Sequence, residues 1–98
     1  MEQVKVKIFY IPASQHYYAT ANQGRYNICS FWKSATGSVW YFEPAIGTQR
    51  KPVVGMDGKF PVDYLINLCR SVWFIDFGTS ELPEIILTKD SQKLLQKA

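Results

Sequence analysis

The chain is poor in residues that hold metals or form disulfides, with two cysteines, Cys29 and Cys69, and one histidine, His16, among 98 residues. A structural zinc site takes about four Cys and His ligands at close spacing. A small secreted scaffold needs a denser set of cysteines. Both classes are therefore excluded. Because each cysteine lies in an apolar run (NICSF and INLCRSV), we expect two reduced, buried thiols, with a single bridge between them as the alternative.

Sequence motifs for nucleotide or acyl chemistry are also missing: the chain contains no GxxxxGK[ST], no GxGxxG after a strand and no GxSxG. A pair of nucleophile and base would have to combine His16 with Cys29 or a serine. The carboxylates are not grouped by any motif. We therefore predict that the protein is not an enzyme and takes no cofactor and no metal.

Long apolar runs and a strong charge bias are absent. No stretch approaches the roughly 18 apolar residues of a membrane span, and the beginning, MEQVKVKIFYIP, lacks the apolar core of a signal peptide. We therefore expect a cytoplasmic protein without a membrane partner. The formal net charge of +3 is mild for a protein that binds duplex DNA, so it permits an anionic partner without requiring one.

Aromatic residues are abundant: six Tyr, six Phe and three Trp make up 15% of a chain that is 47% hydrophobic and 19% charged. This is the composition of a folded globular protein, and 98 residues fit one domain. Each ring buries on the order of 150 to 250 Å², so the rings can supply much of a small core. Aromatic richness alone therefore does not predict a surface for stacking bases.

The first half of the chain is predicted to form strands. Residues 4–8 alternate apolar and polar, and residues 9–11 are apolar on both faces, so 4–11 are predicted to form a strand that Pro12 ends. We expect this strand to be half exposed at its start and more enclosed at its end. Residues 12–25 lack a period and are predicted as a long ordered loop. The runs YNICSFWK (26–33) and SVWYFE (38–43) are rich in strand-forming residues, and the linker SATG supplies Gly37, so they predict a β-hairpin.

The second half is predicted to contain one amphipathic helix and a second hairpin. The helix is expected in PVDYLINLCRSV, with Pro61 at its first position and Asp63 in its first turn. VWFIDF and EIILTK favour strands on either side of a turn. Ser91 is predicted to cap a helical tail over residues 90–98, which is marginal on its own.

The resulting prediction is a single α+β domain over residues 1–98 in the order βββαββ. Its sheet is expected to be mostly antiparallel, with the helix packed on one face.

The preferred functional prediction is a small non-enzymatic binding protein that acts on a protein partner, or as a homodimer, through an aromatic-rich surface. Interface cores are enriched in Trp, Tyr, Phe, Met and Arg, and the segment FWKSATGSVWYF is poor in acids. Inhibition or regulation is the expected output. Many accessory proteins of viruses and mobile elements share this size and composition, and the association rests on those two properties alone. The predicted partner-binding residues are Trp32, Lys33, Trp40, Tyr41, Arg50 and Lys51.

The alternative prediction is binding of single-stranded nucleic acid or of a nucleotide ligand that carries phosphate. Rings stack on bases while cations follow the backbone. Residues 47–52, GTQRKP, combine a glycine, two adjacent cations and a proline in a way that local structure does not explain, whereas MDGK reads as a tight turn. The residues added by this alternative are Tyr17, Tyr18, Arg25, Gly47 and Lys59.

A purely structural interpretation competes with both predictions. The rings would then fill the core, and Lys5 and Lys7 would be the solvated face of an edge strand, where lysine discourages pairing between molecules. The exposure of individual rings in the folded protein decides among the three.

Overall fold

The computed structural model describes residues 2–45, 49–55, 58–78 and 80–98, and these form strands β1 to β6 and helices α1 and α2. The strands run in a sheet of order β5-β4-β3-β2-β1-β6, in which neighbours are antiparallel except β1 and β6, which are parallel. The elements are β1 (Gln3–Ile11), β2 (His16–Ala21), β3 (Tyr26–Lys33), β4 (Trp40–Pro44), β5 (Lys51–Val53), α1 (Val62–Phe77), β6 (Glu84–Leu87) and α2 (Lys89–Gln96).

The predicted α+β class with a mostly antiparallel sheet is confirmed, although the order of elements differs from βββαββ. Helix α1 follows β5 at one edge of the sheet and leads to β6 at the other. A crossover of this kind delivers β6 parallel to β1, as short hairpin turns cannot. The predicted strand EIILTK therefore exists as β6, but its partner is β1.

Strand β2 corrects the predicted loop over residues 12–25. The loop reduces to two tight turns on either side of a six-residue strand. Gln15, Asn22 and Gln23 adopt positive φ angles of 53 to 57° in these turns, which reverse the chain within a few residues. Strand-forming Tyr17, Tyr18 and Thr20 then pair with β1 and β3. Strand β5 was likewise not predicted.

Helix α1 continues through residues 72–77, so the predicted strand VWFIDF is wrong. Val72 and Trp73 lie on the buried side of the helix together with Leu65 and Cys69, at spacings that a helix places on one face. The helix ends where Gly78 adopts a left-handed φ of 56° and donates its N–H to the carbonyl of Phe74. Helical periodicity therefore overrides the strand propensity of VWFIDF.

Helix α2 begins one turn earlier than predicted. Thr88 is its N-cap, and its Oγ1 accepts a hydrogen bond of 3.3 Å from the N–H of Ser91. Ser91, predicted as the cap, is instead completely buried, and its Oγ accepts a 2.7 Å hydrogen bond from the N–H of Ile8. This contact fixes α2 to the edge of the sheet beyond the end of β6.

Both helices pack on the same face of the sheet, here called the inner face. Alternate residues of the strands point into this core, and Phe31 and Phe42 at its centre have no exposed surface. A register shift between Ala19 and Thr20 leaves one extra residue in β3, and consecutive Ile28 and Cys29 are both fully buried there. Other buried members of the core include Val4, Val6, Ile8, Ala19, Ala21, Leu65, Cys69, Val72, Trp73, Ile85, Leu87 and Leu95.

The two cysteines meet inside this core, and the predicted pair of reduced, buried thiols is confirmed. A hydrogen bond with the thiol of Cys69 raises the pKa of Cys29 well above its ordinary value, and burial raises this pKa further. The link joins β3 to α1 without a covalent bond.

The raised pKa of Cys29 predicts a loss of stability at alkaline pH. From about pH 8 to about pH 9.5 the unfolded thiol ionises, near a pKa of 8.5, while the folded one keeps its proton. The free energy of unfolding should therefore fall as pH rises, and urea titrations across this window measure the slope. Cys29→Ala should have a shallower slope than the wild type, whatever its absolute stability. Equal slopes would contradict the assignment.

Candidate functional site on the outer face of the sheet

The face of the sheet opposite the helices, here called the outer face, carries a row of side chains that lie directly across from one another on neighbouring strands. Cross-strand pairing sets Ile11 against His16, and Trp32 against Tyr41. Tyr41 in turn pairs with Pro52. Together with their neighbours on alternate positions, the outer face includes Lys5, Lys7, Phe9, Ile11, His16, Tyr18, Ser30, Trp32, Tyr41, Glu43, Arg50 and Pro52.

The rings of the outer face stack on one another across the strands. The imidazole of His16 lies 4.3 Å from the Trp32 ring at an interplanar angle of 12°, and Trp32 lies 5.9 Å from Tyr41 at 30°. At the other end, Phe9 stacks on Tyr18 at 5.7 Å, and His16 is 6.4 Å from Tyr18. Offset stacks of this kind contribute about 0.5 to 1.5 kcal/mol each beyond burial. The row is therefore a preformed surface.

The stacking leaves the row without a gap that could admit another ring. A ring inserted between two others requires roughly 7 Å between their planes, since carbon atoms in contact are about 3.5 Å apart. The centroid separations of 4.3 to 6.4 Å along the row are all smaller. A further ring therefore cannot be inserted between neighbouring rings of the row.

Arg50 lies against the Trp32–Tyr41 end of the row. Its guanidinium carbon lies 5.8 Å from the centroid of Trp32 and 5.8 Å from that of Tyr41, within the range of a cation–π contact. A shallow depression of about 670 Å³ next to it is lined by His16, Trp32, Glu43, Gln49 and Arg50. Aromatic, cationic, anionic and amide groups therefore meet within one small area.

The structure divides the predicted partner-binding residues between the two faces. Trp32, Tyr41 and Arg50 lie together on the outer face. Trp40 is 4% exposed and belongs to the core, where the ring of Phe60 meets it edge-on at 4.8 Å. The side-chain alternation of a strand explains this division, because neighbouring residues of β4 point to opposite faces.

Two predicted cations lie on the inner side with Trp40. The Lys33 ammonium is 5.5 Å from the Trp40 ring, and that of Lys51 is 5.9 Å from the ring of Tyr64 on α1. Arg50 and Lys51 are adjacent in sequence, yet they cover rings on opposite faces. The predicted pair of cations therefore does not form a single binding element.

The residues of the alternative prediction are dispersed as well. Tyr18 is on the outer face, whereas Tyr17 stacks on Phe31 at 5.1 Å in the core, where burial and, secondarily, Tyr10 raise its pKa. Arg25 lies in the turn between β2 and β3, at the end of the sheet that Trp73 reaches. Lys59 precedes α1 on the helical side. Gly47 lies outside the described residues.

Among the members of the outer face that sequence reasoning missed are Phe9, Ile11 and His16. Phe9 and Ile11 are 37% and 38% exposed, although an apolar end of β1 was expected to be enclosed. His16 was considered only as a loop residue. The signal that could have found it is the strand propensity of HYYAT, which sets His16 and Tyr18 on one face and Tyr17 on the other.

The elements of a catalytic or metal site do not come together in the described part of the chain. His16 is on the outer face, while Cys29 is buried on the inner face. Within the described ranges, no three side chains of His, Cys, Asp or Glu are grouped so that they could hold a metal ion. Among the helices of those ranges, none combines the length and the apolar character needed to cross a membrane.

Comparison of the chain with models of protein families, with curated proteins and with solved structures gives no match.

The division between the faces predicts unequal effects of two tryptophan substitutions. Trp40→Ala should lower the free energy of unfolding by about 3 to 5 kcal/mol, since it empties a packed core position. Trp32→Ala should cost only about 1 to 2 kcal/mol, because a half-buried ring loses mainly its stacking partners. Urea unfolding followed by circular dichroism measures both losses. Equal losses would contradict the assignment of the faces.

Proposed function

We propose that this protein is a binding module whose outer face docks onto a protein partner, with inhibition or regulation of that partner as the output. The observation that supports the proposal is the continuous row of rings from Phe9 to Tyr41, which Arg50 contacts at one end. This row lies on a face that neither helix covers. A face of this kind buries apolar surface when a partner covers it.

The residue types of the row favour a protein as the partner. Trp, Tyr and Arg dominate the energetic centres of protein interfaces, and here Trp32, Tyr41 and Arg50 are in mutual contact. Because the stacks hold these side chains in place before binding, less conformational entropy is lost on association. Phe9 and Ile11 extend the apolar area at the opposite end of the row.

Two features of the same face disfavour the alternative, a single-stranded nucleic acid. Bases bind such proteins by stacking on free ring faces, and the ring faces inside the row are occupied by one another or by Arg50. The cations do not follow a common path, since Lys33 and Lys51 lie over inner-face rings. Lys5 and Lys7 are exposed cations on β1, and this feature of the outer face supports the alternative.

Affinity capture from the cells that produce the protein tests the proposal. We expect the wild type to retain a partner protein and the Trp32→Ala, Tyr41→Ala double variant to retain at least tenfold less of it. Each residue at the energetic centre of an interface typically contributes 2 kcal/mol or more to the binding free energy. Ile75→Ala is the matched control: Ile75 is 75% exposed on α1, so retention should be unchanged.

Titration against labelled single-stranded DNA and RNA at two salt concentrations distinguishes the alternative. Phosphate binding weakens steeply with ionic strength, and the Arg50→Ala, Lys51→Ala double variant should then bind less. The proposal would be overturned if the wild type bound nucleic acid in a salt-dependent manner, this variant lost that binding, and affinity capture retained no protein. So would a retained protein that the Trp32 and Tyr41 substitutions do not affect.

A further inference from the structure

A cavity of about 630 Å³ lies where β1 and β2 separate. From Lys7 onward β1 pairs with β2, whereas the residues of β1 before Lys7 pair with β6 alone. At the end of β2 the chain reverses in a turn over residues 21–25, which two backbone hydrogen bonds of 3.2 Å close. The cavity is lined by residues 2–5, by this turn and by Trp73 of α1.

The backbone of Lys5 faces this cavity. On the side of β6, the carbonyl of Glu2 accepts a 2.7 Å hydrogen bond from the N–H of Glu84, and that of Val6 accepts one of 3.2 Å from Thr88. Neighbouring residues of a strand direct their N–H and C=O groups to opposite sides, so those of Lys5 are directed toward the turn. Within the described ranges, no backbone hydrogen bond joins Lys5 to the turn. Its N–H is therefore a donor that a ligand in the cavity can use.

Trp73 adds a buried donor without a partner. The side chain is 6% exposed, and its Nε1 has no hydrogen-bond partner in the part of the chain that the structure describes. The ring is held by Tyr26, edge-on at 5.3 Å, and by Phe77 at 4.2 Å. Tyr26 does not supply the acceptor, since its hydroxyl is also unpartnered. Buried polar groups nearly always have a partner, and an indole N–H can only donate, so the missing partner is an acceptor.

The charges around the cavity favour an anion. Arg25 of the turn and Lys5 line it, against one carboxylate, that of Glu2. The turn that carries Arg25 is fixed by its two hydrogen bonds and by positive φ angles of 53° at Asn22 and 57° at Gln23. A guanidinium offers N–H donors in a planar fork that matches the oxygens of a carboxylate or a phosphate. The cationic side chains can only donate, as can the indole of Trp73.

We propose that this cavity binds a small oxyanion, namely the carboxylate or phosphate group of a ligand. Its donors are the guanidinium of Arg25, the indole N–H of Trp73 and the backbone N–H of Lys5. The oxygens of such a group carry enough lone pairs to accept from all three. Binding gives the buried indole N–H the acceptor that it lacks. The site shares no residue with the row of rings from Phe9 to Tyr41 and is independent of the function proposed for that row.

NMR titration of isotope-labelled protein with sodium phosphate and, separately, with sodium acetate tests the proposal. Ionic strength is held constant with sodium chloride. The three tryptophans give separate indole N–H signals, and Trp73→Phe identifies that of Trp73. We expect this signal and the Lys5 amide to shift to saturation with at least one anion, at a dissociation constant of about 1 mM or tighter. The indole of Trp32 should not shift. The anion that binds more tightly identifies the group as phosphate or carboxylate.

Three variants connect the binding to its donors. Arg25→Gln should weaken it about tenfold or more, because hydrogen bonds to charged groups are the strong ones. Lys93→Gln is the matched control: it removes the same charge from an exposed position on α2, outside the cavity, and should bind as the wild type does. Trp73→Phe keeps a ring and removes the N–H, so binding read on the Lys5 amide should be weaker.

A Trp73 indole signal that neither anion shifts, or that chloride shifts equally, would overturn the proposal. Equal weakening by Arg25→Gln and Lys93→Gln would also overturn it, because it would indicate general attraction of anions to a chain of net charge +3. The Trp32→Ala, Tyr41→Ala double variant should bind the anion as the wild type does. Failure of the outer face to retain a protein is therefore distinguishable from failure of this site.

Discussion

The register of β3 against its two neighbours is the constraint on which both faces depend. Pairing of Phe31 with Tyr17 and Phe42 builds the inner ring stack, and the next residue, Trp32, builds the outer one with His16 and Tyr41. A slip by one residue would exchange the faces and expose Phe31. The fully buried Phe31 and the packed core around it therefore hold the outer row in place.

Helix α1 is the second organising element, because it covers the inner face and carries the chain from β5 to β6. Its buried residues Leu65, Cys69 and Trp73 contact the core, and its side chain Arg70 holds the segment that enters β6. The outer face and the β6 edge thereby remain open on one small fold.

The sequence predicts the class of fold because its signals are local and strong: the alternation in β1, the strand-forming runs of β3 and β4, and the first turns of α1. It does not predict β2, since two turns built on positive φ angles at Gln15, Asn22 and Gln23 have no glycine or proline at those positions. It misassigns residues 72–77 because β-branched and aromatic residues fit a strand as readily as a buried helix face. The choice depends on the core that Trp73 enters.

For the candidate site, residue types could be predicted, and their grouping could not. Trp32, Tyr41 and Arg50 lie together on the outer face, whereas Trp40 and Lys51 are on the opposite face, because a face assignment requires the register of three strands. His16 was missed for the same reason: its role depends on β2.

The accessibility of individual rings to a photoexcited dye, read as nuclear polarisation in NMR spectra, tests the account most directly. Exposed Trp, Tyr and His side chains are polarised, and buried ones are silent. We expect signals from Tyr10, His16, Tyr18, Trp32 and Tyr41, with Trp40 and Trp73 silent. A silent Trp32 together with a polarised Trp40 would contradict the assignment of the two faces.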